Sequence, residues 1–172
     1  GGWNGNNIIN IAGGAHDIYL NNSKFNFPSL SNNNFGVFIS DESGEVYSRN
    51  ITIENLYINC EEIGQFLRIA GDNANDTIVR DITLNNITTE GGLEGTYSDS
   101  VFIKDMASIK LSNIKIPVGD IDISNVTNSL FDNFFMPNSN YVVSGTKTGL
   151  VTNNCTFLTT NLNSISIGNS IK

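Results

Sequence analysis

One frame recurs along this chain: apolar, any, apolar, any, Asn. It is read in IYLNN (18–22), ITIEN (51–55), ITLNN (82–86), IKLSN (109–113), SLFDN (129–133) and LVTNN (150–154). Alternation of period two describes a strand with one buried face, and a frame that returns at intervals of some 20 to 35 residues describes a repeat architecture. Each frame is followed by a second short strand: KFNF (24–27), LYINC (56–60), ITT (87–89), IKI (114–116), FFM (134–136) and CTFL (155–158). A third set lies between the pairs: INIAG (9–13), VFISD (37–41), LRIAG (67–71), VFIKD (101–105), IDISN (121–125), YVVSG (141–145) and SISIG (164–168). Three strands per repeat over about seven repeats predict an all-β, single-stranded parallel β-helix, one solenoid domain across residues 1–172.

The fixed Asn has a physical role in such a coil. The frame places Asn22, Asn55, Asn86, Asn113, Asn133 and Asn154 at one corner. Asn tolerates the left-handed backbone there, and its amide can bond to the Asn one coil away, ~4.8 Å off. This accounts for much of an unusual composition, 28 asparagines in 172 residues. An antiparallel sandwich would need hairpin turns between the strands, and the only NG pair is in the opening WNGN. No stretch carries a sustained helical period.

Composition removes several functions. The formal charge is -8, from 17 acidic and 9 basic residues without a basic cluster, so no nucleic-acid face is expected. No apolar run approaches a membrane span. One His and two Cys make a His/Cys zinc site improbable. Cys60 and Cys155 fall on the same wall four coils apart, roughly 19 Å at ~4.8 Å per coil, too far for a disulfide. His16 reads as a turn residue. Sequons at Asn50, Asn75, Asn86, Asn125 and Asn154 are what so Asn-rich a chain contains by chance, several of them at corners. No polar cap covers the first or last strand frame, so the expectation is a segment of a longer protein or one protomer of an assembly.

Residues 36–71, GVFISDESGEVYSRNITIENLYINCEEIGQFLRIAG, resemble polygalacturonases of glycoside hydrolase family 28, right-handed β-helices of the pectin-lyase-like superfamily. The matching residues are Arg49, Asn50, Ile51, Thr52, Ile53, Glu54 and Asn55, followed by Arg68 and Ile69. NGNNIINIAGGAHDIYLNN would correspond to the family's Gly-Asp-Asp coil, and the likeness spans roughly the first 90 residues. The resemblance implies a right-handed coil and glycosidic-bond hydrolysis. The chain departs from the family where chemistry is done: the paired aspartates fall on Asn6 and Asn7, the Gly-His-Gly region on Phe35, Gly36 and Val37, and the substrate-binding Lys on Ala70. Asn neither protonates a leaving oxygen nor activates water, so the resemblance implies degenerate catalytic carboxylates.

Segment lengths point to a site independently. SLSNNNF, DESGEVYSR, EEIGQ, GDNANDTIV and EGGLEGTYSDS flank the third strand set in the early coils, and later coils shrink to about 20 residues. Long loops on both sides of one strand stack build a cleft over it. Alternation aims Asn10, Phe38, Arg68, Phe102 and Asp122 at that cleft as substrate-binding candidates. Aromatic faces stack on sugar C–H surfaces and Arg donates a fork of hydrogen bonds. Asp41 and Asp105 occupy equivalent positions two coils apart, roughly 9 to 10 Å, with Asp72 between them, and are the candidate catalytic groups.

Ten of the carboxylates fall in these segments: Asp41, Glu42, Glu45, Glu61, Glu62, Asp72, Asp76, Glu90, Glu94 and Asp99. Such a rim favours neutral or amino sugars over a polyanion unless Ca2+ bridges the two, and no other cofactor is called for. The expected function is a secreted polysaccharide-active or polysaccharide-binding β-helix. The alternative is a virion-associated tail-spike segment, a trimeric shaft presenting sugar-binding grooves.

Overall fold

The structure, a computed structural model, describes residues 7–28, 34–40, 48–71, 79–93, 98–144 and 148–162. None of them is helical. The elements are β1 (Ile9–Ile11), β2 (His16–Phe27), β3 (Phe35–Ser40), β4 (Arg49–Ile63), β5 (Gln65–Ala70), β6 (Val79–Leu93), β7 (Asp99–Lys115), β8 (Asp120–Thr127), β9 (Ser129–Ser144), β10 (Leu150–Asn153) and β11 (Thr156–Leu162). All pair in parallel within one curled sheet, which is compatible with the expected solenoid.

Register divides the strands into two stacks. The first runs β1, β3, β5, the start of β7, β8 and the end of β9, with Ile9, Val37, Leu67, Val101, Ile121 and Tyr141 aligned. The second runs β2, β4, β6, the rest of β7 and the start of β9, then β10 and the start of β11, whose residues 159–162 join the first stack. Strand β7 belongs to both: residues 101–104 pair with β5 and residues 106–115 with β6. In the first stack Tyr141 pairs with Thr160, so the described partner precedes SISIG (164–168), which lies outside the described residues.

The paired frames of the sequence fuse into long strands bent at residues of positive φ. The expected corner is present, with φ of 53° at Asn22 and Asn55, 55° at Asn86, 54° at Asn113 and Asn133, and 50° at Asn154. Its amides are wired as a ladder. Asn86 Nδ2 donates to Asn55 Oδ1 (2.6 Å) and Asn133 Nδ2 to Asn113 Oδ1 (2.7 Å). At two rungs the acceptor is the residue just before the corner in the neighbouring repeat: Asn55 donates to Asn21 (2.8 Å) and Asn113 to Asn85 (2.9 Å). A second corner follows Asp17, Asn50, Asp81, Ser108 and Asn128, all at φ between 49° and 56°.

The interior is filled by the alternate residues of every strand. Ile51, Ile82 and Ile109 stack in register, as do Ile53, Leu84, Leu111 and Phe131, and all are essentially sealed from solvent. Each such side chain contributes roughly 1.5–3 kcal/mol by burial. Ser129 continues the isoleucine row, and its hydroxyl is satisfied by accepting from Ile109 N (3.1 Å) and donating to Thr127 O (2.8 Å). Cys60 and Cys155 are buried thiols, not joined in a disulfide, that pack in the core and donate to Glu62 O (3.1 Å) and Asn153 O (3.2 Å).

Candidate functional site

The site is built on the first stack. Val37 and Ile39, Leu67 and Ile69, Val101 and Ile103, and Ile121 and Ile123 are buried, so the residue between each pair turns to the other face. The register sets Asn10 beside Phe38, Phe38 beside Arg68, Arg68 beside Phe102, and Phe102 beside Asp122. All five expected substrate-binding residues therefore form one row, spaced by the ~4.8 Å between paired strands.

Arg68 is the centre of that row. Its guanidinium carbon lies 4.5 Å from the Phe102 ring centroid and 5.2 Å from that of Phe35. A planar cation against ring faces gains from the ring quadrupole, more so when partly desolvated, and Arg68 is half-buried. Its Nη1 donates to Gln65 Oε1 at 2.9 Å, and the Gln65 amide nitrogen donates onward to Asp99 Oδ2.

Phe38 differs from expectation in exposure. It stands in the row but is 4% exposed, its ring stacked on Phe35 at 5.3 Å between centroids. Phe102, half-buried, is the ring of the row that reaches solvent, and Asn10 is exposed at the row's start. Asp122 is half-buried, and its carboxyl is pushed above the usual carboxylate range by burial first and by the charge of Asp99 second.

Of the candidate catalytic groups, Asp41 and Asp72 lie outside the described residues. Asp105 sits in the corner after the strand, at φ 53° and 2% exposed. Its Oδ1 accepts from Asn125 Nδ2 (2.8 Å), and Lys104 Nζ is 3.6 Å from Oδ2. It is thus a structural neighbour of Asn125, the residue of the same corner one repeat on, and stands off the outward row. Asn7 is likewise occupied: its Oδ1 accepts from the Phe35 backbone N–H at 3.1 Å, while Asn6 is outside the described residues.

Four carboxylates of the expected rim lie among the described residues. Glu61 and Glu62 are exposed near the end of β4, and Glu90 on β6 accepts from the Tyr57 hydroxyl (2.8 Å). Of these four it is Asp99, at the start of β7, that joins the row, and the other six of the rim lie outside the described residues. Among the described residues no three His, Cys, Asp or Glu side chains come together to hold a metal.

Gln65 and Asp99 are the residues that sequence reasoning misses. Gln65 stands three places before Arg68 on the same strand, an odd spacing that alternation assigns to the opposite face, so the pattern gives no signal of their contact. Asp99 reads as one more loop carboxylate, though its spacing of two residues before Val101 matches that of Gln65 before Leu67.

Chemically, the row offers guanidinium donors, a ring and a carboxyl group in line. Comparison with protein-family models, with curated proteins and with solved structures found no match to this chain.

Proposed function

We propose that the chain is a secreted saccharide-binding solenoid, a right-handed parallel β-helix of about seven coils related in fold to polygalacturonases, with the row Asn10, Phe38, Arg68, Phe102 and Asp122 as its binding floor. The observation that carries the reading is the Arg68 guanidinium held against Phe35 and Phe102, in register with Asp122. Guanidinium donors, a partly exposed ring and a carboxyl acceptor at intervals of one strand spacing suit the hydroxyls and C–H faces of consecutive sugar units. Asp99 and Asp122 add negative charge beside Arg68, which favours neutral or amino sugars over uronates.

Binding rather than hydrolysis is the activity this arrangement supports. Asn7 accepts a backbone hydrogen bond, and Asp105 is committed to its corner. The test is calorimetric titration with hexamers of β-1,4-glucose, β-1,4-glucosamine and α-1,4-galacturonate. The glucose or glucosamine hexamer is expected to bind, and Arg68→Ala to weaken it about tenfold in a protein that still folds cooperatively. Absence of binding to all three hexamers overturns the reading. Release of reducing ends, abolished in Asp41→Asn, would instead make the protein a hydrolase, and a trimer in sedimentation would favour the appendage shaft.

A further inference from the structure

The side chain that holds the site together is neither a sugar contact nor a charge. Gln65 opens β5 and is 1% exposed, yet both ends of its amide are used. The Oε1 atom accepts from Arg68 Nη1 on the same strand, and Nε2 donates to Asp99 Oδ2 on β7 in the next repeat. A carboxamide has one accepting and one donating end, so its orientation here is dictated by its partners. The reverse flip would set NH2 against guanidinium and oxygen against carboxylate. The Phe102 and Phe35 rings lie against the Arg68 guanidinium, and ring contact is less directional than a hydrogen bond to one of its nitrogens. Gln65 supplies that bond, and Asp99 fixes Gln65.

We infer that Gln65 and Asp99 are positioning residues of the saccharide row: Asp99 orients the buried Gln65 amide, and Gln65 sets the plane in which Arg68 presents its donors to the sugar. The inference rests on the proposed binding function for its ligand but not for its geometry, and the two are separable by experiment. A group placed by a buried neighbour binds more tightly than a free one because less motion is lost on binding.

The experiment uses the whole chain labelled with nitrogen-15. In the wild type the Arg68 side-chain N–H signals are expected to show slow rotation of the guanidinium. In Gln65→Leu and in Asp99→Ala they are expected to average, and whichever hexamer the wild type binds is expected to bind about tenfold more weakly. Asp99→Asn retains an acceptor oxygen for Gln65 Nε2 and is expected to restore slow rotation and affinity, a rescue that a purely structural role for Asp99's charge would not give. Melting temperature is read alongside, and Asp99→Ala, at a half-buried position, serves if Gln65→Leu fails to fold. Unchanged Arg68 signals in both disruptive variants, or no rescue by Asp99→Asn, overturns the inference. If the wild type binds none of the hexamers, the functional reading falls while the guanidinium signals still decide the positioning.

Discussion

Asn86 shows what a single corner residue contributes. Its backbone sits at φ 55°, where a residue with a Cβ ordinarily loses about 1–2 kcal/mol, and its amide donates to Asn55. Asn86→Ala forfeits both the tolerated conformation and the hydrogen bond, so urea unfolding is expected to show a loss of about 2 kcal/mol. Asn86→Gly keeps the conformation and is expected to lose about half as much. Equal losses in the two variants would mean that the backbone term is absent. Asp122 belongs to the same scale. Its carboxyl titrates above its unfolded value, near 3.9, because burial and Asp99 disfavour the charge. The folded state therefore holds the proton more tightly, and stability falls as pH rises from the unfolded pKa through the folded one. Asp122→Asn is expected to unfold at higher urea than wild type at pH 7, and the difference should vanish below about pH 3.9. A constant difference across pH would refute the assignment.

At the scale of the element, the strands of the second stack are legible in the sequence because their inward residues alternate on both sides of the Asn corner: Ile51, Ile53, Leu56 and Ile58 in β4 repeat as Ile82, Leu84, Ile87 and Thr89 in β6. The Asn corner is legible for the same reason, one residue type at one place in the frame. The second corner is not. Asp17, Asn50, Asp81, Ser108 and Asn128 share a conformation but not a side chain, and what links Asn50 to Asp17 is a hydrogen bond between unlike groups. That bond, with His16 beside it, holds the Asp17 carboxyl below its ordinary range. Asp105 shows the opposite failure. By alternation it continues the inward parity of Val101 and Ile103, a place for an apolar residue, and its own positive φ makes it a corner instead. The pairing of β4 with β6 also contains an irregularity, since the register shifts between Cys60 and Glu62. Gly91 lies opposite at φ 116°, and a methyl group there would run into the Cys60 carbonyl. Gly91→Ala is expected to cost about 3 kcal/mol or more or to prevent folding. A wild-type urea midpoint would show that the two strands can separate freely at this point.

For the whole molecule, the consequence of register is modularity. Val101, Ile121 and Tyr141 are aligned at intervals of 20 residues, and Lys110, Leu130 and Val151 are aligned beside them. In a quasi-one-dimensional stack each repeat touches only its neighbours. Excision of residues 121–140 is therefore expected to leave a cooperatively folded protein with the same far-ultraviolet β spectrum and a lower melting temperature. Loss of the cooperative transition would show that contacts between distant repeats are required. The excision also removes Asp122 and shortens the proposed row from one end, so saccharide affinity should fall even where folding survives.

The corner hydrogen bonds have a sense as well as a position. Asn50, Asn55, Asn86, Asn113, Asn125 and Asn133 each donate from the later repeat to the earlier one. The stack is accordingly a chemical arrow. A duplicated repeat inserted in frame finds an acceptor behind it and offers one to the repeat ahead, so such a molecule can lengthen by gene duplication at any of these rungs. A corner that carries a carboxylate can accept from the repeat ahead but has nothing to donate to the repeat behind, as at Asp17 and Asp105, so each such residue marks the place where a run of donors begins.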